Sequence, residues 1–357
     1  MKLKSNLNYN ILILLLLFQK VFPNNLWINH GWEIFDYISD ARSSSLANAT
    51  TAFRYNQPGA SLNNPLFLSN SKDDLSLTHQ SRFAGLINND LLGFQINRYK
   101  TPIQINILYQ GIGQIPDTRN ALLDWGNDGK FDTNDPGEGN GILDEGERLD
   151  KNKLTYFSQQ QIGIHGSFQS KILNKKFGVA FKFLNHNLGS SSAIGVGIDI
   201  GYISKLGKIE IASVAKNIPA SGLIWSNGDI EKSITKLSIG SHYKVKLENL
   251  PFEFDLMSKL DFNAFNNYFN IFKIEKNIKI EKCFAIEAKL NDKLYIRIGK
   301  DIFTRSTGGV GLIWENFVLD YAFLGSPYNG LGGNHHLITI NISLESVLKM
   351  LANDKKE

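Results

Sequence analysis

Cysteine is almost absent from this chain: Cys283 is the only one in 357 residues. That excludes an intrachain disulfide framework, a CxxC redox site and a cysteine-rich zinc site. Charge is scarce as well, at 20% of residues, below the usual share for a soluble domain. Lys and Arg number 38 against 34 Asp and Glu, a net charge of +4. So small and evenly spread an excess excludes a nucleic-acid protein. After the first 24 residues no window of about 18 apolar residues remains, so no transmembrane helix is expected. GxSxG, HExxH and P-loop motifs are missing. No nucleophile and base stand at a recognisable spacing, so the chain is expected to be no enzyme. The histidines are scattered, and His335 and His336, adjacent on a strand, would point to opposite faces.

What is present begins with an export pattern. Lys2 and Lys4 precede the apolar run Ile11-Leu-Ile-Leu-Leu-Leu-Leu-Phe18. A positive start before a short apolar core predicts a signal peptide over residues 1–24. The run is too short to span a bilayer. An exported chain without membrane helices is a soluble protein or an outer-membrane β-barrel. A mean hydropathy of -0.18 suits both, because a barrel spans lipid by alternation.

Period-two alternation dominates the rest. Ile103-Gln-Ile-Asn-Ile107, Val196-Gly-Ile-Asp-Ile200, Phe252-Glu-Phe-Asp-Leu256 and Leu337-Ile-Thr-Ile-Asn-Ile342 show it. Strands are expected at 75–83, 90–98, 102–110, 154–168, 177–185, 193–203, 207–215, 235–246, 251–260, 277–289, 293–299, 309–314, 317–323 and 335–344, about fourteen in all. Helical periodicity is confined to 43–51 and the extreme C-terminus. Connections after the even strands are short, with 169–176 the longest. Those after the odd strands are mostly long, the links after the first and fifth being of moderate length. A sandwich has no reason to sort its loops by rim, whereas a barrel has short periplasmic turns and long extracellular loops. Tyr99, Tyr109, Tyr156, Tyr202, Tyr243, Trp314 and Tyr321 fall near segment ends, as interfacial girdles require. Glu253, Asp255, Lys259 and Glu287 are then expected to face the lumen.

Two regions resemble a known family. Tyr37-Ile-Ser-Asp-Ala-Arg-Ser-Ser-Ser-Leu-Ala-Asn-Ala49 and Gly59-Ala-Ser-Leu-Asn-Asn-Pro65 resemble the opening of PorV/PorQ outer-membrane barrels. Ile296-Arg-Ile-Gly299, Thr307-Gly-Gly-Val-Gly311, Leu319-Asp-Tyr-Ala-Phe323 and Leu331-Gly-Gly-Asn-His335 resemble that family's closing strands. The resemblance implies an all-β transmembrane antiparallel barrel, similar to the long-chain fatty-acid transporters. It also implies an N-terminal plug over 25–74, a barrel over 75–344 and a tail over 345–357. The tail is a departure, because such barrels usually end on an aromatic of the last strand. The implied localisation is the bacterial outer membrane. The implied partners are outer-membrane lipid, and secreted cargo or components of a type IX secretion system.

The longest loop, 111–153, carries acidic repeats. With Gly129 at position 6 of a calcium loop, Asp124, Asp128, Asp132 and Asp135 fall at positions 1, 5, 9 and 12, and Lys130 offers its carbonyl at 7. With Gly141 at position 6, Glu138, Asn140, Asp144 and Glu147 fall at 3, 5, 9 and 12, with Ile142 at 7. Gly126 leaves position 3 empty in the first loop, and Pro136 spoils position 1 in the second. All the ligands are hard oxygens, which suits Ca2+ as a structural ion.

Three functions stay open: a PorV/PorQ-type barrel serving secretion or surface attachment, a transporter of a hydrophobic or small solute, and a soluble calcium-stabilised adhesive β-protein. An apolar pocket beside the plug would favour the second.

Overall fold

The structure, a computed structural model, describes residues 32–68, 74–96, 101–172, 174–218, 221–233, 235–247, 251–264, 272–275, 278–302, 305–314, 317–326 and 333–343. The expected signal peptide, Tyr99 and the 345–357 tail lie outside the described residues.

The chain is a closed, antiparallel, 14-stranded β-barrel. Its staves are β1 (Asp74–Arg82), β2 (Ile87–Ile96), β3 (Ile103–Asp117), β4 (Thr155–Ile172), β5 (Lys175–Leu188), β6 (Ser191–Leu206) and β7 (Ile209–Lys216). They continue as β8 (Lys236–Lys246), β9 (Phe252–Ala264), β10 (Ile278–Leu290), β11 (Leu294–Lys300), β12 (Ser306–Trp314), β13 (Phe317–Leu324) and β14 (His335–Ser343). Each expected strand is present. Closure comes from β1 pairing with β14, from Asp74 opposite Ser343 to Ser81 opposite His336. Among the described residues the fourteen staves therefore leave no open barrel edge to recruit another chain.

Side chains sort by parity, as the pleat dictates. On β11, Tyr295 and Arg297 point inward, while Ile296 (47% exposed) and Ile298 (59%) point out. On β5, Ala180, Lys182 and Leu184 are buried against Phe181 and Phe183 outside. Leu77, Ile164, Val196, Leu256, Phe284, Val310 and Ile340 continue the outer belt round the barrel. An unbroken apolar belt on a closed barrel lined with polar groups places the wall in lipid. The protein is a multi-pass β-barrel of the bacterial outer membrane.

The loops sort as alternation predicted, with two refinements. β4 runs to Ile172 and β5 from Lys175, so most of the turn expected at 169–176 is strand. The β5–β6 link is also tight, at Gly189 and Ser190. β4 has 18 residues and β6 has 16. At about 3.3 Å per residue such strands outreach an apolar band about 25 Å tall. Their upper ends therefore stand clear of the bilayer, where Ser221–Trp225 extends the wall by pairing with β6. Tyr109, Tyr156, Tyr202, Tyr243, Trp314 and Tyr321 all sit at outward positions.

Candidate functional site

The lumen is occupied by the chain's own N-terminal segment, 32–68, in three short helices: α1 (Ile34–Tyr37), α2 (Ala41–Ser45) and α3 (Ala60–Asn63). Asp40 caps α2 by accepting from the Ser43 N–H at 2.7 Å. Ala47 and Asn48, both left-handed (φ 56 and 53), turn the chain out of the helix. Small side chains let α2 lie against β12, β13 and β14. The wall is correspondingly thinned. A Cβ on Gly195 or Gly197 would strike the Trp32 ring, and one on Gly178 would strike the Pro65–Leu66 backbone. Gly166, on the outer face of β4, has open space instead. The wall glycines thus follow the plug's outline.

A buried ionic chain joins plug to wall. Arg42 of α2 donates to Glu287 of β10 through Nε (2.9 Å) and Nη2 (2.5 Å). Arg297 of β11 donates to the same Glu287 through Nε at 2.6 Å, and to Asp320 of β13 through Nη1 at 2.6 Å. Gln57 of the plug closes the chain on Asp320 at 2.6 Å. Two guanidinium groups and two carboxylates balance, the condition for burying charge. Next to it, Tyr55 donates to Asp40 at 2.7 Å. Burial pushes the Asp40 carboxyl upward, against the hydrogen bonds from Ser43 and Tyr55. The Ala41 N–H donates to Thr339 at 2.7 Å.

The upper plug has its own anchor. Trp32 Nε1 donates to Asn217 Oδ1 at 2.9 Å, and Lys182 Nζ reaches the same oxygen at 2.5 Å. Lys182 also pairs with Asp199 at 2.7 Å. Asp36 lies 3.5 Å from Lys216 and 3.9 Å from Lys236. Burial alone would raise the Asp36 carboxyl, but Lys236 and Lys216 outweigh it and hold it at about 2. Trp32, Ile34, Phe35 and Ile38 then pack on Leu91, Leu108, Leu184 and Leu223 of the wall. The arrangement holds a plug.

The other expected residues fall as follows. Asp255 and Glu287 are buried on the lumen side, and Lys259 pairs there with Asp261 at 3.0 Å. Glu253 faces inward near the short-turn rim, between Lys244 and Lys246. His335 is buried inside, while His336 lies outside against the Tyr321 hydroxyl at 2.8 Å.

The acidic loop ties itself together crosswise. Asp124 accepts from the N–H groups of Gly139, Asn140 and Gly141 in the second repeat. Glu138 accepts from Asp132, Thr133 and Asn134 in the first. Glu147 joins Gly126 to Asp144, and Asp135 accepts from Asp128 N–H. The Asn140 amide donates to Asp144 at 2.7 Å, and the Lys130 carbonyl accepts from Thr133. The Ile142 N–H goes to the Asn140 side chain. Among the described residues, no three His, Cys, Asp or Glu side chains converge on one point.

Sequence reasoning gave Arg42, Arg297 and Asp320 no role of their own. A signal was available: a lone charge within an apolar alternating strand must face inward, as Arg297 does between Ile296 and Ile298.

No family model matches the chain, and no curated protein matches it. Among solved structures it is similar to two mutants of TodX, a monoaromatic hydrocarbon channel. The deltaS2S3 mutant gives 11% identity and a TM-score of 0.43, the deltaS2 mutant 11% and 0.45. Each match covers 85% of this chain and 97% of that chain. A ferric enterobactin receptor of Pseudomonas aeruginosa is similar at 8% identity and a TM-score of 0.30, over 71% of this chain and 44% of that one.

Proposed function

We propose that this barrel is a non-enzymatic, PorV/PorQ-type component of the outer membrane, serving as shuttle or attachment point for exported cargo. One observation carries the reading. The segments that resemble that family, around Arg42, Arg297 and Asp320, meet in one buried ionic chain through Glu287. Arg42 lies 245 positions from Glu287, yet here the two share one buried ionic chain with Arg297 and Asp320 and tie the plug to the wall. A plug tied by buried charges suits a platform that presents its long-loop rim to a partner. It suits a conduit for small solutes less well. The cavity between plug and wall at the short-turn rim mixes Leu66, Tyr202 and Ile203 with the cations of Arg54, Lys175 and Lys176, and burying those charges would count against a hydrophobic solute.

The test has two arms. The intact protein in planar bilayers is expected to conduct poorly, and crosslinking in cells is expected to capture secreted cargo or secretion components at the 118–154 loop. A steady open conductance, with solute uptake lost on deletion, would replace this reading by the transporter one.

We further infer that calcium orders the 118–154 loop. Its supports are the hard oxygen ligands, the left-handed glycines at both sixth positions (Gly129 φ 64, Gly141 φ 76) and an Asp135 oxygen without a hydrogen-bond partner. Asp124, Asp128, Asp132, Asp135 and the Lys130 carbonyl would hold one ion. Glu138, Asn140, Asp144, Glu147 and the Ile142 carbonyl would hold the other.

A further inference from the structure

At the short-turn rim a cavity of about 230 Å³ opens where plug meets wall. The plug contributes Arg54 and Leu66; the wall contributes Gln169, Lys175, Lys176, Tyr202 and Ile203. Arg54 and Lys175 lie over aromatic rings, Phe67 at 5.4 Å and Tyr202 at 5.5 Å. Neither of them, nor Lys176, forms an ion pair among the described residues. Gln169 is fixed by donating to the Leu66 carbonyl at 3.1 Å. Three unpaired cations round one concave site leave a positive charge that seeks an anion.

The outer surface beside this cavity says which anion. Lys175 is the last outward residue of β5 before the turn, and Phe177, Val179 and Phe181 follow it on the same face. Phe177 packs on Tyr202 at 5.0 Å, and Phe181 stacks on Phe168 at 6.1 Å. An aromatic strip thus runs up the lipid face from the mouth of a basic cavity. A diacyl phospholipid of the inner leaflet has that shape: a phosphate at headgroup level and chains lying against the wall. Arg and Lys are the side chains that bind phosphate oxygens.

The geometry points to a phosphate-binding site between plug and barrel, which takes the net-negative headgroup of an anionic phospholipid. Because Arg54 belongs to the plug and Lys175 and Lys176 to the wall, the bound headgroup bridges the two and holds the plug's lower end. The site owes nothing to the cargo role proposed above.

The test uses the full-length barrel in zwitterionic detergent, with unfolding temperature and equilibrium binding as readouts. Phosphatidylglycerol, phosphatidylcholine and inorganic phosphate are titrated in parallel. Phosphatidylglycerol is expected to raise the unfolding temperature saturably and to bind at least tenfold more tightly than phosphatidylcholine. R54A/K176A is expected to lose that preference at least tenfold. R54K/K176R should keep it, and so should K208A, at another turn of the same rim. Inorganic phosphate competing for the same site would show that the phosphate group alone suffices; failure to compete would show that the acyl strip is required. Equal binding of both lipids, or unchanged phosphatidylglycerol affinity in a folded R54A/K176A, would overturn the proposal.

Discussion

Arg42 and Glu287, 245 residues apart in the chain, meet as a two-pronged pair inside the barrel, with both side chains screened from water. The pair ties plug directly to wall, and Arg297 reinforces it from the other side. Removing one partner of a buried pair strands the other, at a cost of about 3–5 kcal/mol. Glu287→Gln is therefore expected to lower the unfolding temperature and to raise bilayer conductance. Arg42→Ala combined with Glu287→Gln should cost less than the sum of the single variants. A fully additive double variant would show that the two residues do not act together.

Asp36 gives the plug a pH dependence. Its carboxyl is held at about 2 in the folded chain, below its ordinary value of 3.8. A depressed carboxyl stabilises above the ordinary value, and the contribution fades as pH falls through the folded one. The upper plug should loosen between about pH 4 and pH 2, detected as protease cleavage near α1. Asp36→Asn should be cleaved more readily at neutral pH and show little further change over that window.

Wall glycines and lipid-face glycines should respond in opposite ways. Gly195→Leu drives a side chain into Trp32 and is expected to displace the plug, seen as a shift in tryptophan emission. Gly166→Ala, which meets nothing within 4 Å, should be neutral. Equal effects would mean that the plug does not press on the wall as described.

Neighbouring residues on β11 should tolerate charge differently. Ile298→Lys places an ammonium on the lipid face and should cost about 2–4 kcal/mol if it lies near the midplane. The native Arg297 beside it is paired inside. Urea unfolding in vesicles measures the difference; a neutral Ile298→Lys would remove that part of the wall from the bilayer.

Calorimetry of the intact protein should show calcium binding in the weak range of extracellular modules, about 10⁻⁴–10⁻³ M. Asp124→Asn with Glu147→Gln should abolish it. No heat and no change in protease resistance of the 118–154 loop would exclude a structural ion there.

Much of the fold was legible before any coordinates. Alternation is local, because one residue's face follows from its neighbour's. That is why all fourteen staves, the outward aromatics and the inward Asp255 and Glu287 could be read directly. The strand ends at Ile172 and Lys175 were less legible, since Lys-rich strand ends above or below the bilayer read like turns.

Residue order alone specifies a chain of amphipathic strands, an apolar belt and an N-terminal segment rich in small residues. Which charges meet is set by the closed barrel. Arg42, Glu287, Arg297 and Asp320 lie on four separate segments, and their contact depends on barrel closure and strand register. The same holds for the cavity under Arg54 and for the crosswise bonds of the acidic loop. A pleat is set by adjacent peptide units, whereas an ion pair across a lumen is set by every strand between its partners.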